Sequence, residues 1–270
     1  MVSNNTKVWL FILLISLLWL FFGYEIGERL GLLFGFLSAI LFNFFVFYHD
    51  ESKVLAQLNA VLFRGQDAWG LNEKVQRLSH QLNIPAPKIY ITPHAAINTF
   101  CVTGTLGKKS LGFTSGLLQT FNDEELEAVV ANQLCHTKRF DSVRFGIGNS
   151  ISNSILGVGY FLDTLLPKNV KFFIPILTPL AWIFIRLAYG DKPIFENDLT
   201  AAKLLDSRLK LGEVLWRLEG IAKTRPLHPP PCTSHLFMVN PEGMSQKNLF
   251  LKSHPAVDLR LKRLLGYYPI

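Results

Sequence analysis

The sequence predicts an α+β fold, mainly helical, built around a small β-sheet and carried on N-terminal transmembrane helices. Three observations predict it. Two long uncharged apolar runs, Val8–Tyr24 and Leu30–Tyr48, open the chain. Short β-rich runs bounded by proline or glycine follow at Lys88–Thr92, Ile97–Thr103 and Ser110–Thr114. A periodic amphipathic stretch, Asp123–Asp141, comes next. Composition agrees: 49% apolar residues and 22 Phe in 270 positions exceed the usage of a soluble domain.

Each opening run has about the length needed to cross a bilayer core of roughly 30 Å. No small-x-small cleavage site follows the first, and the second comes at once, which argues against a cleaved signal peptide. The turn between them, Glu25–Arg29, is short and acidic, whereas Lys53, Arg64 and Lys74 follow the second run. The positive-inside rule therefore puts the turn outside, and the N-terminus and main domain in the cytoplasm. Phe45, Phe47 and Tyr48 are placed to form an interfacial aromatic belt. A formal charge of +7 suits a domain facing an anionic leaflet. No basic run carries interleaved aromatics, so nucleic acid is not an expected partner. Cys101, Cys135 and Cys232 are odd in number and scattered, as reduced cytosolic thiols are.

After a polar connector, a helix is predicted at about Leu71–Leu82, stopped by Pro85 and Pro87. The three strands follow, the last reached through Gly104 and Gly107. In Asp123–Asp141, Leu126, Val129, Val130, Leu134 and Phe140 recur at helical spacing. Asn122 or Asp123 serves as its N-cap, and Glu124, Glu125 and Glu127 load the first turns with favourable charge. Phe145–Leu162 and Phe172–Ile185 are apolar again, the first interrupted by Gly, Asn and Ser, the second by Pro175 and Pro179. They make either a second membrane hairpin, with Pro167–Val170 at its tip, or a pair lying on the membrane surface. Gly146, Gly148, Ser150, Ser154 and Gly157 fall at intervals that let two helices approach closely. An amphipathic helix at Leu211–Ala222 and a proline-rich loop at Thr224–Ser234 follow. The organisation expected is thus 1–50 for the first spans, 51–143 and 191–270 for the two parts of the main domain, and 144–190 for the second hydrophobic pair.

The centre of Asp123–Asp141 reads Asn132-Gln133-Leu134-Cys135-His136. The stretch resembles the zinc helix of the HtpX-type membrane metallopeptidases, relatives of the CaaX prenyl proteases, where the centre reads His-Glu-x-x-His. The resemblance runs from the first span to Arg260. It passes through Pro87–Ile91, Asn98–Phe100, Thr114–Gln119, Glu125–Val129, Ser234–Pro241 and Leu251–Pro255. It implies a gluzincin-like metallopeptidase domain whose third zinc ligand is a Glu four residues before an Asp. Aligning on Asp198 and Ala201–Leu204 puts Ile194 at that ligand position. Glu196 lies two residues further, turned about 200° around the helix, and cannot replace it without a register shift.

Two of the three metal-ligand positions, those of Asn132, His136 and Ile194, and the general-base position, Gln133, are thus degenerate. An amide oxygen is a poor zinc ligand beside imidazole. Gln133 is nearly isosteric with Glu but cannot take up and return a proton. A buried carboxylate without a metal is costly, so Ile194 points to a repacked, dry pocket. His254 either approaches the old metal position or caps a loop.

The function expected is that of a catalytically inactive homologue with no cofactor, binding or scaffolding within a membrane protein assembly, or acting in membrane protein quality control. Its place would be a bacterial-type inner membrane, its partners the bilayer and another membrane protein. The alternative is an active zinc metalloendopeptidase with atypical ligands drawn from His136, Cys135 and His254. A cysteine hydrolase built on Cys135 finds no triad-like constellation. In the family the sheet edge lies beside the substrate. Ile97, Asn98, Thr99 and Phe100 would then add an extended peptide as a further strand, unless that edge is covered. A partner helix in the membrane would instead read Gly146, Ser150, Ser154 and Gly157.

Overall fold

The computed structural model describes residues 4–48, 51–103, 108–139, 143–167, 170–189, 192–230, 233–242 and 254–266. In chain order its helices are α1 (Asn4–Tyr48), α2 (Glu51–Gln57), α3 (Leu71–Gln81), α4 (Ser115–Thr120), α5 (Asp123–Arg139), α6 (Val143–Thr164), α7 (Phe173–Tyr189), α8 (Lys192–Leu204), α9 (Arg208–Thr224) and α10 (Val257–Leu265). Its strands are β1 (Val61–Leu62), β2 (Lys88–Thr92), β3 (Thr99–Thr103) and β4 (Lys109–Thr114). The fold is mostly helical with one small mixed sheet, as expected. The chain divides into two compact units: the described parts of Met1–Ser52 and Asp141–Ala188 form one, and the rest forms the other.

In the first unit, α1 is broken at Gly27 and Glu28, where Glu28 takes a φ of 46°. The two halves fold back on each other, and Asn43 Nδ2 donates to Ser16 Oγ at 3.0 Å. Their backbones come so close that a Cβ on Gly31 would stand 1.9 Å from the Gly23 carbonyl oxygen, which only glycine permits. Large apolar side chains such as Trp9, Leu13, Leu17, Phe21, Phe34 and Phe44 point outward. Among the described residues no helix is long and apolar enough to cross a membrane. The two expected spans include positions 8, 11 and 45–48, whose side chains, with those of Phe45, Phe47 and Tyr48, lie outside the described set.

Asp163 near the end of α6 accepts from the N–H groups of Phe172, Phe173 and Ile174, capping the start of α7. Ser152 Oγ donates to the Ala181 carbonyl at 2.7 Å. Ser154 and Gly157 are buried within this unit. The small-residue face of α6 is therefore used, at these positions, inside the unit rather than left for a partner. The side chains at Gly146, Gly148 and Ser150 lie outside the described residues, as do Lys168 and Asn169 of the expected hairpin tip.

The second unit carries the sheet, in the order β1-β2-β4-β3, with β2 and β4 parallel and the other pairs antiparallel. Its core joins Ile89, Leu111 and Phe113 of the sheet to Leu71, Val75 and Leu78 of α3 and to Leu126, Val129 and Leu134 of α5. Asn122 is the N-cap of α5: its Oδ1 accepts from Glu125 N–H, and Glu125 Oε2 accepts from Asn122 N–H, a capping box. Arg77 of α3 and Lys210 of α9 reach the acidic first turns at Glu127 and Glu124. Every side chain from Ala128 to Cys135 is buried. The helix read as amphipathic is enclosed on all sides along its middle.

The outer edge of β3 is not open where a peptide was expected to add. A turn at Ser234–Leu236 leads into Phe237–Val239, and Met238 N–H donates to the Thr99 carbonyl at 2.9 Å. Phe237 bridges antiparallel to Phe100, and Asn98 Nδ2 donates to the Val239 carbonyl. Ile97, Asn98, Thr99 and Phe100 are all buried. The chain's own C-terminal segment takes the place proposed for a guest strand.

Candidate functional site

The three positions read from the sequence as ligand positions do converge. Asn132 and His136 of α5 meet Ile194, Asn197 and Asp198 of α8, with Phe237, Met238, His254 and Arg260 closing the other side. The space between them is about 10 Å³, at the lower limit for one water molecule. Helical spacing explains the convergence, since 132 and 136, and likewise 194 and 198, lie one turn apart on their helices. Glu196, on another face of α8, is not in the wall and approaches Lys192 instead.

The walls are small in volume but not apolar. Arg260 Nε donates to Asp198 Oδ2 at 2.8 Å and its Nη2 to Oδ1 at 2.7 Å, a two-point guanidinium–carboxylate pair. The Arg260 Nη1 donates to the Met238 carbonyl at 2.7 Å, so the guanidinium, 1% exposed, is bonded on several sides. Asn132 Nδ2 completes the group by donating to Asp198 Oδ1 at 2.8 Å. Metal-bound imidazoles commonly give their second N–H to a carboxylate. Asn132 gives Asp198 a donor of the same kind from its amide.

His136 is tied elsewhere. Its Nδ1 lies 2.7 Å from the Sγ of Cys101 on β3. Burial pushes the Cys101 thiol up to about 12, and burial, with the nearby His254, His235 and Arg260, holds His136 well below the usual imidazole range. Both groups are neutral at pH 7, so either the thiol S–H donates to Nδ1 or Nδ1–H donates to the sulfur. In either case Nδ1 is engaged by Cys101. His254 does reach the crevice, where its Nε2 lies 2.7 Å from the Phe237 carbonyl oxygen. Burial lowers its pKa to about 4, with Arg260 acting the same way and the Phe237 bond opposing.

These residues do not fit a catalytic zinc ion. Such a site wants three protein ligands and an open position. The crevice offers an amide turned to a carboxylate, an imidazole turned to a thiol, a second imidazole whose Nε2 meets a backbone carbonyl, an alkyl group and a closed guanidinium–carboxylate pair. Gln133 is buried beside the crevice without lining it, and its Oε1 has no hydrogen-bond partner among the described residues. Of the atypical ligands considered, His136 and His254 line the crevice, whereas Cys135 packs into the main core. Cys101 had no signal in the sequence as a neighbour of His136, being 35 positions away on a strand. Asp198 and Arg260 were visible as motif residues, but their pairing was not.

The sequence pattern of peptidase family M48 matches residues 66–267. A protease HtpX homolog of Pelotomaculum thermopropionicum is 30% identical, over 97% of this chain and 98% of its own length. Those of Pyrococcus furiosus and Nostoc punctiforme are 30% and 31% identical, over 90% and 89% of this chain and 88% of their own lengths. Among solved structures, S. mikatae Ste24p is 18% identical with a TM-score of 0.45, over 96% of this chain and 67% of that one.

Proposed function

The chain belongs to peptidase family M48, and we propose that within it the protein is a pseudo-peptidase. In this reading it is a membrane-bound metallopeptidase homologue without catalysis, which binds polypeptide in a membrane protein assembly or in membrane protein quality control. One observation carries the reading: the wall shared by Asn132, His136 and Ile194 closes to about 10 Å³ and presents an alkyl side chain where the third ligand would stand. Gln133, at the general-base position, cannot itself take a proton from an attacking water and return it to a leaving amine.

The competing reading, an active zinc endopeptidase with atypical ligands, draws on the two imidazoles His136 and His254 in the same wall. Membrane attachment is supported by the relatives' family and by the outward apolar side chains on both halves of α1. The polarity assigned to it remains that of the positive-inside rule, with the main domain cytoplasmic and the Glu25–Arg29 turn outside.

Metal analysis of the full chain, purified in mild detergent without chelator, tests the reading. No stoichiometric zinc and no casein hydrolysis are expected, whereas about one tightly held zinc per chain would overturn it. Restoring Asn132→His, Gln133→Glu and Ile194→Glu together is expected to recover zinc binding, because Asp198 would then meet the first imidazole as it now meets the amide.

A further inference from the structure

A larger cleft lies in the same unit, apart from the degenerate site and sharing only Phe237 with it. Its volume is about 240 Å³, and its walls come from the end of α2, the turn after β2 and the proline-rich loop. We propose that this cleft binds an uncharged stretch of extended polypeptide through one apolar side chain and its neighbouring peptide group. The proposal rests on the reading of the protein as a polypeptide binder and gives that binding a place.

Three features select this ligand. The apolar walls are the rings of Phe100 and Phe237, 5.4 Å apart, with Leu58, Leu227 and Pro230 around them. Such a surface takes a branched or aromatic side chain. The polar part is a buried hydroxyl and a fixed imidazole. Thr92 is 7% exposed, and its Oγ1 has no hydrogen-bond partner among the described residues. The hydroxyl is closed to solvent in the cleft, so the Thr92 side chain must turn toward a ligand to meet it. A peptide N–H that then pairs with it removes the cost of an unpaired buried group.

His94 is held on several sides. Its N–H donates to the Thr92 carbonyl, and its own carbonyl accepts from Gly116 N–H and Ser115 Oγ. Its Nδ1 accepts from Ala96 N–H at 2.9 Å, which puts the ring proton on Nε2 as a donor. A peptide group carries one donor and one acceptor, the complement of Thr92 Oγ1 and His94 Nε2–H. The third feature is charge. No Lys, Arg, Asp or Glu stands among the described residues of the wall, so an ionised ligand would lose hydration without gaining a counter-charge. The covered edge of β3 strengthens the case: the β-addition route at Thr99 and Phe100 is already occupied by the chain itself, whereas this cleft is open.

The test uses the full chain in nanodiscs and a capped, fluorescein-labelled Ala-Ala-Leu-Ala-Ala peptide, with photo-leucine at the centre for crosslinking. Saturable binding is expected, with crosslinks mapping to 57–59 or 227–230. Thr92→Val, which keeps the shape and removes the hydroxyl, should weaken binding about tenfold. Gln57→Trp, on the exposed rim, should block it without disturbing the core. A peptide with Asp at the centre should bind at least about tenfold more weakly. Saturable binding that both variants leave unchanged, or crosslinks elsewhere, would overturn this inference alone and leave the polypeptide-binding reading standing. No binding of either peptide by the unmodified chain would overturn both, and the zinc measurement would still decide inactivity separately.

Discussion

At the residue scale, the Asp198–Arg260 pair is the interaction on which the degenerate site turns. Both side chains are almost fully buried, so each charge depends on the other for the solvation it has lost. Arg260→Met alone should destabilise the protein by about 3–5 kcal/mol, as should Asp198→Leu. The double substitution should recover most of that, because no lone buried charge remains. Denaturant unfolding of the three variants checks the cycle. His254 makes a second prediction, in pH. Its pKa is about 4 when folded, against about 6.5 unfolded. Above pH 6.5 neither state carries the proton and the group contributes nothing to the pH dependence. As pH falls from 6.5 towards 4, the unfolded chain takes up a proton that the native chain cannot hold. Stability should therefore fall across that window, by about 3 kcal/mol from this residue, with His136 adding in the same direction. His254→Asn should flatten the melting-temperature profile between pH 6.5 and 4 by its share and leave that of His136.

At the scale of elements, β4 and β3 depend on a missing side chain. Gly112 pairs with Phe100 across the two strands, and a Cβ there would stand 2.0 Å from the Phe100 ring. That ring is buried and held against Phe237, so it cannot simply swing aside. Gly112→Ala should cost about 1–3 kcal/mol, read as a lower denaturation midpoint. The spread would report how far the segment after Ser234–Leu236 can follow the ring. Helix α5 was legible at this scale from its periodicity and its acidic start, and the capping box at Asn122 and Glu125 settles where it begins. Its burial on all sides was not legible. Periodicity marks the faces that carry large apolar residues, and it cannot register that Asn132 and Gln133 are also buried, Asn132 against Asp198 of α8. The helix at α10 and the two-residue β1 were not read from the sequence either, since nine and two residues carry too little pattern.

At the scale of the whole molecule, the assigned topology can be tested without relying on the native thiols. Cys101 and Cys135 are buried, so neither reports the side of the membrane by labelling. A cysteine-free chain with Glu213→Cys, on the exposed side of α9, and a second with Glu25→Cys, in the turn of the first hairpin, would do so. Labelling of intact spheroplasts by a membrane-impermeant maleimide should mark Glu25→Cys and spare Glu213→Cys until the cells are lysed. The reverse pattern would invert the topology.

What the sequence determined by itself was the family and most of the element types of the main domain. These follow from local rules: periodicity, proline stops, capping residues, and motif spacing along one helix. Only the tertiary structure decided what Asn132 meets. Asn132, Asp198 and Arg260 come from three separate helices, 66 and 62 positions apart in pairs, and no local rule relates them. The same holds for the Cys101–His136 contact and for Met238 closing the β3 edge at Thr99. A side chain's partner is set by how buried elements fill space together, and that is a property of the packed chain rather than of any stretch within it.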